Sequence, residues 1–456
     1  MQHTVNQLPV DPGPAAWDAI LSPAVKRDSL QTDIDCDWLV IGGGFAGLSA
    51  ARRLTELHPQ HAIVVLEATQ VATGASGRNS GFMIDVPHEL TASGYTRDTQ
   101  DSNAHNAGLE HTRREIRLNR AAIDYACKAR DEFDMPDEAI RLSGKINGAM
   151  SARGQRHNDS YVRNLNALGE VWQRLNAEDM HAVTGTNAYI DGLQTPGTAM
   201  LQPALYTRLL AKGIEGCGVR IFEQTPATSI EQQGDEWIVQ TPKGRVRASR
   251  LFITVNGHLQ SFGFYTQHLA HVFTYGSMTR ALSSDEVATL AGESNWALTP
   301  ADALGTTVRR VSGIGGDRLI IRNRASYDPT MKITEERLSS ISQTHDQSFA
   351  NRFPMLSGVE MEYRWGGRLC MARNGGTVFG EIAPGVYSAC CQNGLGTARG
   401  TIGGKLVAEL ASGHESSLLD DIQREPKPNR LPPGLFARIG ATLQIRWGEH
   451  RAGREL

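Results

Sequence analysis

The chain holds little cysteine, and what it holds is poorly spaced for chemistry. Cys36, Cys127, Cys217, Cys370, Cys390 and Cys391 are the six in 456 residues. They show no metal-ligand spacing and no short disulfide framework, which fits a reducing cytoplasm and leaves no metal site to expect. Cys390 and Cys391 fall in an expected strand, where adjacent side chains point to opposite faces and do not bond each other. No apolar run reaches about 18 residues, so no spanning helix is expected. Residues 1–30 lack a basic start followed by an apolar stretch and read poorly as a signal peptide. The net charge is only −3, so the chain as a whole offers no basic field to nucleic acid or anionic lipid. Internal repeats and low-complexity blocks are also missing.

What is present is ordinary globular composition, 40% hydrophobic and 21% charged. At roughly 150 residues per domain, the length allows two or three lobes, each with a core of its own. Residues 1–36 read as a polar arm with Pro12, Pro14 and Pro23. An apolar run at 38–41 follows, then a glycine-rich turn, a helix over about 48–57 and a second apolar run at 62–66 ending at Glu67. That is one βαβ unit within about 30 residues. A helix is expected over 108–133, stopped by Pro136, and another from Pro203 to about Ile214. Strands are expected at 219–223, 237–240, 245–248, 251–255, 272–279 and 319–323, a strand pair around Pro384-Gly385 at 378–391, and a last helix starting near Gly396.

The turn is Gly42-Gly43-Gly44-Phe45-Ala46-Gly47. In a strand–turn–helix, the first glycine of G-x-G-x-x-G permits the tight turn, the second lets backbone approach a pyrophosphate, and the third lets helix and strand pack closely. The helix N-terminus adds free N–H groups and a partial positive charge. Glu67, twenty residues after Gly47, stands where a carboxylate accepts from a ribose diol, with Ala68 beside it. The motif alone leaves NAD and FAD both open. The segment beyond Glu67 favours flavin. Gly74-Ala75-Ser76-Gly77-Arg78-Asn79-Ser80-Gly81 is small, glycine-rich and too polar for a core strand, and it suits a loop running under a flat cofactor.

At these residues the sequence resembles the D-amino-acid-oxidase superfamily of flavoproteins, and within it the γ-glutamylputrescine oxidase-like enzymes. The resemblance rests on the loop at 74–81, on Trp17 and Leu30 in the leading arm, and on Gln202-Pro203 before a helix. It also rests on a strand ending in Asn256-Gly257 and on Asn393-Gly394-Leu395-Gly396-Thr397 opening the last helix. It implies an α/β fold, with a GR2-type Rossmann FAD-binding domain interleaved with a substrate domain on a mixed or antiparallel sheet. The expected division is an arm at 1–36, an FAD-binding domain at 37–100, 200–265 and 366–415, a substrate domain at 101–199 and 266–365, and a tail at 416–456 packed on the body. It further implies that Ala227 lies at the adenine end and that the 393–397 turn serves the flavin ring. This sequence has Arg78 and Asn79 where a flavin-attaching histidine would stand, and Cys370 is offset from the attachment position, so non-covalent FAD is expected.

The implied activity is oxidation of a primary or secondary amine by hydride transfer to the flavin, with oxygen as acceptor. The rivals are a dehydrogenase of the same fold passing electrons to a quinone or carrier protein, and an FAD-binding subunit without turnover of its own. Such chemistry needs positioning more than a strong base. Arg322 and Arg324, two apart on a strand, are expected to face one side, where one could clamp a substrate carboxylate. Tyr275, Trp365 and His88 are further candidates for substrate contact, with Asp85 beside them in the sequence after the loop. Each also has a plainer reading as packing or surface. The stripe Leu435, Phe436, Ile439, Leu443 and Trp447 is expected to dock on the protein's own surface, with a membrane or partner contact as the alternative.

Overall fold

The apolar run at 38–41 forms the inner half of a longer strand, Ile34–Ile41, at the centre of a nine-stranded sheet. The computed structural model of the protein describes residues 2–87 and 102–456, with side chains from 108 onward in the second stretch. Ile34–Ile41 pairs in parallel with Ile63–Leu66 on one side and Arg245–Ile253 on the other. Arg220–Phe222 extends the parallel set beyond Ile63–Leu66. The outer half of Arg245–Ile253 pairs with Glu236–Gln240, and its inner half with Val386–Cys390. The leading arm is part of this sheet, because Gln2–Thr4 adds an antiparallel edge strand against Ser229–Gln233.

Strand residues alternate between two cores, as a sheet covered on both faces requires. Val40, Val65 and Phe252 pack under the helices Phe45–Leu57, Ser102–Glu132, Pro203–Gly216 and Gly396–Ala411. Leu39, Ile41, Val64 and Ile253 face Leu30, Trp237, Leu259 and Phe262. A second, eight-stranded sheet is antiparallel except where Trp296–Pro300 runs parallel to Lys145–Ala149. The fold class is thus the expected one. One expected boundary moves: Met361–Met371 belongs whole to the eight-stranded sheet, so its last residues do not join the nine-stranded one. Among the described residues no helix is long and apolar enough to cross a membrane.

Helix Gly396–Ala411 crosses Phe45–Leu57 at very short range because glycines stand at the contact. A Cβ at Gly404 would lie 2.0 Å from the Ala46 carbonyl oxygen, and one at Gly400 would lie 3.4 Å from Phe45 Cβ. Backbone cannot yield as a flexible side chain does. Gly404→Val is therefore expected to destabilise by about 3 kcal/mol or more, read as a lower denaturation midpoint. Gly440→Ala, whose methyl meets nothing within 4 Å, should leave the midpoint unchanged or raise it slightly.

Candidate active site

Gly42 has φ +107°, a conformation side chains disfavour. A Cβ at Gly47 would stand 1.9 Å from the Gly42 carbonyl oxygen, which shows why the third glycine is needed. Gly44 caps helix Phe45–Leu57 with no side-chain hydrogen bond of its own, and the Phe45 N–H donates to Ser76 Oγ at 3.0 Å. Glu67 holds the turn in shape. Its Oε2 accepts from the Gly43 N–H at 2.9 Å, and its Oε1 from the Thr69 N–H and hydroxyl at 2.9 and 3.0 Å. Burial raises its pKa, against the pull of these bonds. A carboxylate has about four acceptor positions, so a ribose diol can still be bonded. Ala68 is half-buried next to it, and buried Ala227 follows Thr225, whose N–H donates to the Glu67 carbonyl at 2.9 Å.

The loop at 74–81 contains one 3-10 turn, Ala75–Gly77. Side chains from four other segments take its carbonyl oxygens and those just after it. Trp365 Nε1 donates to the Arg78 carbonyl at 2.9 Å and Trp17 Nε1 to that of Asn79 at 2.9 Å. Arg309 Nη1 donates to the Ser80 carbonyl at 2.7 Å, and Thr397 Oγ1 to that of Phe82 at 2.6 Å. Asn79 closes the loop on itself, donating to the Ser76 carbonyl and accepting from the Gly81 N–H. The Arg78 guanidinium goes to the carbonyls of Thr73, Pro12, Gly366 and Gly13. It acts as a pin between arm, loop and strand, not as a cation offered to a ligand, and burial lowers its pKa.

The second turn is built by asparagines in left-handed conformation, Asn256 with φ +50° and Asn393 with φ +50°. Asn256 Oδ1 accepts from the Cys391 N–H, and Asn393 Oδ1 from that of Ala372. Asn393 Nδ2 donates to the Gly375 and Gly376 carbonyls. Gly257 packs against the His271 ring, 2.8 Å from its would-be Cβ, and Leu395 caps helix Gly396–Ala411 with no side-chain bond. Around Gly74, Gly394 and Gly396 a Cβ would meet nothing within 4 Å. Two helix N-termini without caps of their own, with open space at three glycines, offer N–H groups and positive dipole ends to an elongated anion. The donor set fits FAD: a pyrophosphate at 42–47, a ribose at Glu67 and an electron-rich ring at 394–397.

The eight-stranded sheet turns one face to this loop. Thr307, Arg309, Ile320 and Arg322 share that face: Thr307 pairs with Arg322 and Arg309 with Ile320, and Arg309 reaches the loop. Arg309 also donates to the Leu201 carbonyl at 2.9 Å and lies 4.9 Å over the Trp17 ring. Burial, with Arg141 adding to it, lowers its pKa to about 9. Sequence reading missed it. The signal was the adjacent pair Arg309-Arg310 in a strand, which sends one arginine to each face. Arg322 has one weak contact, 3.4 Å from Nη1 to Thr307 Oγ1. Among the described residues its other donors have no hydrogen-bond partner, and burial lowers its pKa. A cavity of about 100 Å³ opens beside Arg309, lined also by Arg141, Lys145, Met200 and Trp296. Lys145 donates to Asn147 Oδ1 at 2.7 Å, and burial lowers its pKa to about 8.

Three expectations change. Arg324 does not share the face of Arg322, because the pairing slips at Thr274/Tyr275 and Arg324 adopts φ +60°; its Nη1 donates to Glu449 Oε2 at 3.1 Å. Tyr275 is buried on the far face with Phe273 and Leu338, its hydroxyl 2.6 Å from Ser326 Oγ. It does not reach the site. Trp365 is buried and holds the loop from beneath, so it is support and not a wall for substrate. Asp85 is also buried, accepting from Thr198 Oγ1 at 3.0 Å. His88 lies outside the described residues.

Glu67→Ala is expected to weaken FAD by about tenfold to over a hundredfold, the loss of a charge-assisted hydrogen bond of about 1.5–3 kcal/mol. Fluorescence titration of the apoprotein measures it, and an unchanged constant excludes the ribose contact. Acid should release intact FAD from the holoprotein, since Cys370 is buried against Gly257 with its thiol pKa pushed well up by Cys391 and by burial. Flavin that stays with the precipitated chain would refute this.

Comparison with known proteins agrees with this geometry. The family described as FAD dependent oxidoreductase, DAO, matches residues 37–410. Probable oxidoreductase OrdL of Rhizobium meliloti is 24% identical, over 97% of this chain and 98% of its own. Gamma-glutamylputrescine oxidoreductase of Escherichia coli is 25% identical, over 92% of this chain and 91% of its own. The crystal structure of glycine oxidase from Geobacillus kaustophilus superposes with a TM-score of 0.65 at 17% identity, covering 88% of this chain and 100% of that one. At that identity the likeness speaks for the fold alone. The family match covers most of the length, and this chain belongs to the DAO family of FAD-dependent oxidoreductases.

Proposed function

We propose that the protein oxidises a primary or secondary amine that carries an anionic group, such as an amino acid, an N-methyl amino acid or a γ-glutamyl polyamine, with oxygen as electron acceptor. The observation that carries this reading is Arg322. It lies on the sheet face turned to the loop at 74–81, and among the described residues its one hydrogen bond is the 3.4 Å contact to Thr307. A planar guanidinium with unfilled donors suits a carboxylate gripped at two points. The name of one relative, gamma-glutamylputrescine oxidoreductase, points to the same substrate class.

FAD, when bound, would accept a hydride from the carbon beside the amine nitrogen and pass the two electrons to oxygen as peroxide, and water would hydrolyse the imine to an aldehyde or keto acid with release of ammonia or an amine. The chain's part is placement. Arg322 fixes the non-reacting anionic end of the substrate. Trp17, Trp365, Arg309 and Thr397 fix the loop against which the cofactor would lie. Holding two reactants in near-attack geometry supplies much of the barrier reduction such a reaction needs. No side chain is assigned as the base, because the amine must enter neutral.

Anaerobic bleaching of the flavin by a panel of amines tests the substrate class, and peroxide formed under air against dye reduced under argon tests the acceptor. On the best substrate, Arg322→Ala is expected to raise KM about tenfold to a hundredfold. Arg322→Lys should do nearly as much harm, since lysine keeps the charge and loses the fork. FAD content should not change in either. Normal kinetics in both variants, or a preferred substrate without an anion, would remove Arg322 from this role.

A further inference from the structure

The C-terminal helix Gly434–Ala452 does not pack as its apolar residues led one to expect. It rests on the body along Ala437, Ala441, Ile445, Gly448, Glu449 and Ala452, which are half-buried or buried. At about 100° per residue these positions point in one direction. Leu435, Phe436, Ile439, Leu443 and Trp447 fall on the opposite side and are between 49% and 69% exposed. The stripe therefore faces straight away from the protein.

The charges around it are sorted. From residue 424 to the C-terminus the acids are Glu425, Glu449 and Glu455, and all three side chains are turned inward. Glu449 accepts from Arg324 and from the Ala325 N–H at 3.1 Å, and Glu455 from the Met150 N–H and the Ser151 hydroxyl. On the helix Arg438, Arg446 and Arg451 stand exposed, and Arg424, Lys427 and Arg430, also exposed, precede it in the chain. Arg451 lies 4.4 Å over the Trp447 ring, at the end of the stripe. The small net charge of the whole chain conceals this local basic field.

We propose that this helix is an interfacial anchor that lies flat in an anionic lipid surface. The apolar stripe would enter among the upper acyl chains while the arginines remain at the level of the phosphates. A second copy of the chain fits less well. The five side chains expose on the order of 600 Å², the upper range for a monomer's largest patch and less than the roughly 800 Å² per partner of a stable pair. A second copy would also bring the same cations and no exposed carboxylate from this segment to meet them.

The test is co-sedimentation of the FAD-loaded full chain with vesicles of phosphatidylcholine containing phosphatidylglycerol, and with phosphatidylcholine alone. Binding is expected to the anionic vesicles, at least about tenfold weaker to the neutral ones and reduced by salt. Leu443→Glu with Trp447→Glu should weaken it more than about a hundredfold, and Arg438→Glu with Arg446→Glu about thirtyfold or more. FAD content and melting temperature serve as folding controls. The proposal is overturned if the chain does not bind anionic vesicles, or if the Leu443/Trp447 variant binds as well as the parent. It is also overturned if sedimentation velocity shows a dimer that this variant dissolves, which would make the stripe a self-contact.

Discussion

The close crossing of helices Phe45–Leu57 and Gly396–Ala411 is the constraint on which the site depends. Backbone meets backbone at Ala46 and Gly404, so the two helices are held at close range. Their N-termini are thereby fixed as well, one after the 42–47 turn and one after the 393–396 turn. Neither start has a capping side chain from its own N-cap residue. Each helix leaves N–H groups that need a partner, and a single elongated anion can serve both. The close packing that stabilises the fold and the geometry that suits a dinucleotide are the same contact.

A second principle shapes the loop at 74–81. A loop meant to lie along a ligand cannot use its ligand-facing surface for its own stability. Here the carbonyls are satisfied from behind by Trp17, Trp365, Arg309 and Thr397, and Arg78 turns back to bind four carbonyls. Buried cations bonded only to carbonyls are costly unless every donor is placed. Arg78 is well supplied, while Arg309 keeps one buried nitrogen without a partner among the described residues.

The βαβ unit, its glycines and Glu67 were legible in the sequence because each answers to a local rule of turn geometry or periodicity. The loop was legible by its composition. The roles within it were not. Whether Arg78 faces a ligand or a set of carbonyls depends on where Pro12 and Gly366 come to lie, and nothing local says so. Tyr275 was placed on a strand correctly but on the face covered by helix Glu335–Arg352, and period-two alternation does not reveal which face is which. The expected partnership of Arg322 and Arg324 failed at one irregular residue with positive φ. The tail read as an apolar stripe at helical spacing, which fixes a face of the helix but not what that face meets.

The supports of the loop also bear on how the chain reaches its native state. Trp17 lies 62 residues from its partner, Arg309 lies 229 away, Trp365 lies 287 away and Thr397 lies 315 away. Contacts of such sequence separation must wait for long loops to close and are slow to form. The βαβ unit can collapse early, yet the surface that is to receive a flavin is assembled from both ends of the polypeptide. An emerging chain therefore has no finished cofactor site until the helix at Gly396–Ala411 has been synthesised and has docked.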